Sequence, residues 1–223
     1  MKSSHHRLFF CATAKCGSTT WKSYLMKDLK IDWHGDLHEA ATKILGTDST
    51  VRTEYKGDSI KFLETYRPEH RLIIVRNPWA RLLSAYQDKI VTMKYNLKNY
   101  CYGWKAYEGL TNITFHQFID CVLKKPEKAL IDSHTEPITS SCGICLMDYN
   151  IVLKLEEMNK GEEYLMRQLN FSIQPDYKPL NKMEYKSHYR DYYTGLPENM
   201  IQQLQILYKD DIALFDYPNS PFL

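Results

Sequence analysis

Three short apolar runs constrain this chain more than anything else in it: RLFFCAT at 7–13, RLIIV at 71–75, and a third from Tyr149 to Leu155. Each is too short for a buried helix and too uniformly apolar for a strand with one wet face, so each reads as a buried strand. The segments between them are long and carry helical spacing. Strands joined that way run parallel, because a tight hairpin cannot connect them. The expected fold is therefore α/β: a central parallel sheet flanked by helices on both faces, in a single domain over residues 1–223.

The helical pattern is clearest at 18–29, where Trp21, Tyr24, Leu25 and Leu29 recur at roughly helical intervals. A helix is expected near 37–45 and another from Ser59 to Tyr66, stopped ahead of Pro68. Pro78 opens the next, which runs to about residue 93. Further helices are expected over 114–124, 159–169 and 197–209. Residues 94–113 and 131–147 read as loops, and 171–195 as irregular.

Charge is nearly balanced, at 29 Lys and Arg against 27 Asp and Glu. No global field argues for nucleic acid, so anion recognition has to be local. No apolar run reaches the length of a membrane span, and MKSSHHRLFF has no signal-peptide layout. The sequence thus reads as a lumenal part of a longer protein or as a soluble chain that stays where it is made, with no membrane contact of its own. Six cysteines and two sequons, at Asn112 and Asn170, are compatible with a secretory compartment.

The junction after the first strand, ATAKCGSTTWK at 12–22, concentrates donors. A loop between a strand's carboxyl end and a helix N-terminus presents unpaired N–H groups, and the helix dipole favours negative charge there. Gly17 lets the backbone approach closely, Ser18, Thr19 and Thr20 add hydroxyls, and Lys15 adds a point charge. It is not the nucleotide-triphosphatase loop, in which Lys follows the glycines. Here Lys15 precedes Gly17.

The order K-x-G-[ST]-[TN]-x-W resembles the 5′-phosphosulfate loop of sulfotransferases, which use 3′-phosphoadenosine 5′-phosphosulfate (PAPS). A second stretch, IVRNPWARLLSAYQDK at 74–89, resembles the 3′-phosphate motif of the Golgi carbohydrate sulfotransferases that modify chondroitin, dermatan and the HNK-1 glycan. Similarity to that family continues through SHTEPITSSCGICLMDYNIVLKLEEM and LPENMIQQLQILYKDDIALFDY, and so from about residue 8 to 217. Departures are Ala14 for Pro, Asn77 for an acidic residue, Thr135 for Trp and Leu153 for Gly.

The resemblance implies a P-loop NTPase-like fold and an O-sulfotransferase that moves the sulfuryl group of PAPS to a glycan hydroxyl, with no metal. It assigns Lys15, Cys16, Gly17, Ser18, Thr19 and Thr20 to the phosphosulfate end of PAPS and offers Trp21 a place near the adenine, with the core as the alternative. Arg76 and Ser84 go to the 3′-phosphate, and Arg81 to a structural ion pair. A chondroitin- or dermatan-like acceptor and the Golgi lumen follow on the same ground. A catalytically silent glycan- or nucleotide-binding relative is one alternative, and a nucleotide kinase another.

Attack by a hydroxyl at neutral pH is helped by a base, for which His suits best. His38, between the two phosphate motifs in LHEAATKIL, is the first candidate, with His134 second. His5 and His6 read as solvated. Cys142-x-x-Cys145 with His134 falls short of four zinc ligands and reads instead as a disulfide or two structural thiols.

Overall fold

A computed structural model describes residues 2–3, 6–45, 61, 64–65, 67–93, 102–124, 132–175 and 189–223. The helix expected over 59–66 falls mostly outside that set. Chain contacts divide the molecule into two compact units, Met1–Val75 with Cys142–Lys182, and Arg76–Ser141 with Met183–Leu223.

The first unit holds the sheet. Its strands are β1 (Lys2–Ser3), β2 (Leu8–Cys11), β3 (His70–Val75) and β4 (Ile151–Lys154), hydrogen-bonded in that order. β2, β3 and β4 are parallel, with Leu8 opposite His70 and Leu72 opposite Ile151. β1 is a two-residue antiparallel addition at the edge, too short to leave an apolar signature. β2 is buried throughout and β3 over Leu72–Val75, as continuous apolar runs demand. β4 is less covered than the sequence suggests: Val152 is half exposed, because β4 is an edge strand.

Among the described residues this unit also carries α1 (Ser18–Asp28), α2 (Leu37–Leu45) and, after a 3₁₀ turn at Leu155–Glu157, α6 (Met158–Gln168). α1 packs on α2, and α6 on β4. Leu153, where the resembling family has Gly, faces Gly161 of α6: a Cβ on Gly161 would lie 3.2 Å from Leu153 Cδ2. The bulk added on the strand is accommodated by the missing side chain on the helix.

His6 is not solvated. It is buried, with Nδ1 2.7 Å from the Leu169 carbonyl, Nε2 2.9 Å from Asp28 Oδ2, and its ring stacked on Phe171 at 4.4 Å. Hydrophilic neighbours at 1–7 hide the fact that this imidazole closes over the end of α1.

The second unit is helical. α3 (Pro78–Ala85) starts where Pro78 predicts, but the expected long helix becomes a π-helix at Tyr86–Thr92. A 3₁₀ helix at Tyr102–Tyr107 lies in the expected loop. α4 (Phe115–Leu123) begins with a capping box in which Thr114 and Gln117 satisfy each other's backbone N–H groups. α5 (Ile138–Ser141) is one turn, α7 (Tyr189–Thr194) lies in the expected irregular stretch, and the expected last helix is α8 (Glu198–Leu207), followed by a further short helix, α9 (Lys209–Leu214), where only a tail is expected. Trp79, Leu82, Phe118, Ile119, Tyr193, Leu204 and Tyr208 form its core. Tyr193 donates to the Trp79 carbonyl at 2.9 Å, and burial raises its phenol well above the ordinary range.

No helix among the described residues is long and apolar enough to cross a membrane.

Candidate functional site

β2 ends at Cys11, and the chain turns at once: the Thr13 N–H donates to the Cys11 carbonyl at 2.9 Å. Two residues of the turn then adopt left-handed backbone, Lys15 at φ 64° and Gly17 at φ 77°. For Gly17 that conformation is inexpensive. For Lys15 it costs about 1–2 kcal/mol. Gly17 is required for a second reason, since a Cβ there would come within 3.1 Å of Leu155 Cδ1. Left-handed residues in a tight turn aim successive N–H groups at one point and make an anion-binding concavity.

α1 starts at Ser18 with Gly17 as its cap, no side chain accepts from its first N–H groups, and no acidic residue occupies its first turn. Its positive dipole end therefore faces outward next to a lysine and two half-buried hydroxyls, Thr19 and Thr20. Cys16 and Ser18 are buried beneath. Trp21 is buried as well, 6.2 Å from Phe10, 5.8 Å from Tyr24 and 6.1 Å from Phe171 between ring centroids. Of the two places weighed for it, the indole occupies the core.

His38 lies on α2, which Asp36 caps by accepting from the Glu39 N–H at 2.8 Å. The packing of α2 on α1 sets the exposed imidazole against the start of α1. His38 Nε2 is 3.0 Å from Thr19 Oγ1, and its Nδ1 is 2.9 Å from Lys22 Nζ. Burial lowers the pKa of Lys22, and the Asp36 carboxylate acts in the opposite direction. Lys22 and Asp36 were missed from sequence. The usable signal for Lys22 was its position three residues after Thr19, on the same face of a helix.

Behind the turn, Cys11 is bonded to Cys142 across 131 residues, with Cα atoms 5.9 Å apart. The Cys142-x-x-Cys145 pair is therefore neither an internal disulfide nor two free thiols: Cys142 is taken by Cys11, and Cys145 is free and exposed. Cys121 is disulfide-bonded too, whereas Cys16 is buried and in no disulfide. No group of residues arranged to hold a metal ion occurs among the described residues.

In the second unit, Arg76 directly precedes α3 and is half-buried, and Ser84 is buried two turns along that helix. The N-terminus of α3 is closed. Asn77 Oδ1 accepts from the N–H groups of Trp79 at 2.9 Å and Ala80 at 3.3 Å. Arg81 is fully buried and spends donors on backbone carbonyls, Glu136 at 2.7 Å and Ser133 at 2.9 Å, rather than on a carboxylate partner alone. Tyr208 donates to the Thr135 carbonyl at 2.7 Å, and Asp211 accepts from the N–H groups of Ile138 and Thr139, both at 2.8 Å. Residues 132–139 are thereby fixed. Within them His134 Nδ1 is 2.6 Å from Asp132 Oδ1, which also accepts from the His134 N–H at 2.9 Å. A carboxylate so placed orients the ring. Asp132 carried no motif and was missed.

Comparison with known proteins places these features in a family. The family model described as "Sulfotransferase family" matches residues 1–218. Among curated proteins the chain is similar to carbohydrate sulfotransferase 14 of Danio rerio, at 26% identity over 96% of this chain and 60% of that protein. It is similar to carbohydrate sulfotransferase 8 of Homo sapiens, at 26% identity over 97% of this chain and 54% of that one. It also resembles carbohydrate sulfotransferase 10 of Xenopus laevis, at 24% identity over 99% of this chain and 68% of that one. The chain thus spans little more than half the length of the first two. No solved structure matches it.

Proposed function

Because this chain belongs to the sulfotransferase family, we propose that residues 1–223 act as one P-loop-like sulfotransferase domain that moves the sulfuryl group of PAPS to a hydroxyl of a glycan. The observation that carries the reading is the start of α1: a basic, hydroxyl-bearing helix N-terminus left without a side-chain cap. Such a terminus suits the phosphosulfate end of the donor. Relatives named carbohydrate sulfotransferases support a carbohydrate acceptor, and a chondroitin- or dermatan-like glycan is the proposed class. Two exposed sequon asparagines, Asn112 and Asn170, and the Cys11–Cys142 disulfide support a lumenal, Golgi-type setting.

In this proposal Cys16, Gly17, Ser18, Thr19 and Thr20 cradle the phosphosulfate through backbone and hydroxyl donors, and Arg76 and Ser84 take the 3′-phosphate. Trp21 supports the loop from the core. Lys15 follows the charge that grows on the bridging oxygen as the S–O bond breaks. His38 removes the acceptor proton. His134, oriented by Asp132, meets the sugar. Little covalent help is asked of the protein, and positioning and charge stabilisation dominate, as in phosphoryl transfer.

The test has two stages. Thermal shifts with 3′-phosphoadenosine 5′-phosphate are compared with those from ATP plus Mg²⁺. Labelled PAPS is then offered with a panel of glycans. Stabilisation by the first nucleotide with label transfer to a glycan is expected. Stabilisation without transfer to any glycan would mark a silent binding relative, and a preference for ATP with Mg²⁺ would mark a kinase.

A further inference from the structure

Resting on the reading of His38 as the base, we infer that Lys22 is the positioning residue that sets which nitrogen of His38 carries the proton, and that it receives that proton during transfer. The geometry is the pair of contacts at the imidazole, Lys22 Nζ to Nδ1 at 2.9 Å and Thr19 Oγ1 to Nε2 at 3.0 Å.

An ammonium group only donates. While Lys22 is charged, Nδ1 must therefore accept, Nε2 bears the hydrogen and donates it to Thr19, and His38 has no lone pair on the Thr19 side. A second positive charge on the ring is also opposed by the ammonium beside it. Once Lys22 is an amine, it accepts from Nδ1–H and the Nε2 lone pair is exposed towards the start of α1. Lys22 thus decides whether His38 is a donor or a base.

The transfer step balances on that pair. The acceptor oxygen forms its bond to sulfur as the bridging S–O bond breaks, and the leaving phosphate keeps that electron pair. The acceptor O–H breaks and Nε2–H forms, while Nδ1–H breaks and a new N–H forms on Lys22. His38 is neutral before and after, and the proton rests on the lysine.

The surroundings fit a lysine that titrates. Burial favours its neutral form, and Asp36, the nearby carboxylate, favours the charged one. The other charged groups on α2, Glu39 and Lys43, pair with each other at 2.7 Å. At the far end of α1, Asp28 is engaged by His6 and Ser172, and Lys27 lies in the last turn. Lys15 is the cation of the turn itself.

The experiment compares Lys22→Met and Lys22→Arg. Arginine keeps the charge at every working pH, so it locks His38 as a donor. The Lys22→Arg variant is expected to lose about 10²-fold or more in turnover, the scale of a lost general base. Lys22→Met removes the charge and leaves His38 to titrate alone. It also removes the group that takes the proton, so some turnover is lost, but less than in Lys22→Arg, with the acid limb of its pH–rate profile moved down towards about 6.5, the ordinary imidazole value. A purely structural role would give the opposite order, with arginine the milder change. Near-normal turnover in Lys22→Arg, or equal losses with an unmoved profile, would overturn the inference.

Nitrogen-15 NMR of His38 separates this inference from the enzymatic reading, because it needs no turnover. In the wild type the hydrogen should pass from Nε2 to Nδ1 as pH rises through the Lys22 titration, and Lys22→Arg should hold it on Nε2. Failure of PAPS transfer to every glycan would remove the enzymatic reading while leaving this measurement decisive for the pair. A tautomer that does not change with pH in the wild type would remove the lysine's role, whatever the turnover.

Discussion

The turns that follow β2 and β3 make an instructive pair. The two strands are parallel neighbours, with Cys11 opposite Ile73, and each runs within a few residues into a helix. After β2, the cap is a left-handed glycine with no side chain to offer, and no side chain caps the N–H groups at the start of α1. After β3, Asn77 supplies a carbonyl oxygen to Trp79 and Ala80, and the N-terminus of α3 is satisfied from within. In the proposed function the first junction receives an anion through its backbone, and the second offers the Arg76 side chain.

The sharpest way to break the contrast is at the open junction. His38→Ala should lower turnover by about 10²–10⁴-fold, yet leave the affinity for 3′-phosphoadenosine 5′-phosphate unchanged. His134→Ala should mainly raise the acceptor KM. Steady-state kinetics on both variants, with nucleotide binding by calorimetry, decide it, and the reverse pattern would exchange their roles. Lys15→Ala comes next, with an expected loss of roughly 10²–10³-fold in turnover, the usual consequence of removing one preorganised donor. Its nucleotide affinity should change far less, because the charge that Lys15 meets develops only in the transition state. Near-normal turnover would remove Lys15 from the chemistry.

At the closed junction the effects should be on grip rather than rate. If Arg76 holds the 3′-phosphate as proposed, Arg76→Ala removes a charge-assisted hydrogen bond worth on the order of 1.5–3 kcal/mol, roughly tenfold or more in affinity. The variant should no longer distinguish 3′-phosphoadenosine 5′-phosphate from the analogue without the 3′-phosphate. Persistent discrimination would show that another group reads that phosphate.

How much of this was legible beforehand depends on how local each signal is. The parallel strands were readable because a run such as RLIIV can only be buried, and α2 was readable at its full length, Leu37–Leu45, from its apolar spacing. The turn at 14–17 was readable because Lys, Gly and three hydroxyls crowd one strand-to-helix junction. Features that join distant segments left no trace. Nothing near Cys11 points to Cys142, 131 residues away, and the CxxC spacing suggested a local pairing that tertiary structure overrode. The contact of Lys22 with His38 depends on how α2 packs against α1, and the burial of His6 on a helix end that the sequence around it does not reveal. The π-turns after α3 change hydrogen bonding within one continuous helical pattern, so periodicity passes over them.

The smallest expected effect tests the contrast most cleanly. Asn77→Ala removes the cap of α3 and leaves two N–H groups without their acceptor. Loss of an N-cap costs typically about 1 kcal/mol, which for a chain of this size is roughly 2–4 °C in Tm. Turnover and nucleotide affinity should stay within about twofold of the wild type, since the backbone of that terminus is already engaged and the proposed grip on the nucleotide is Arg76's. The departure from the acidic residue usual in the resembling family then has a simple account, because an amide oxygen caps a helix as well as a carboxylate does while adding no negative charge beside the arginine. Thermal denaturation and calorimetry with 3′-phosphoadenosine 5′-phosphate read both quantities. If Asn77→Ala instead bound the nucleotide more tightly with no loss of Tm, the uncapped terminus of α3 would be an anion site in its own right, and the two junctions would differ in degree rather than in kind.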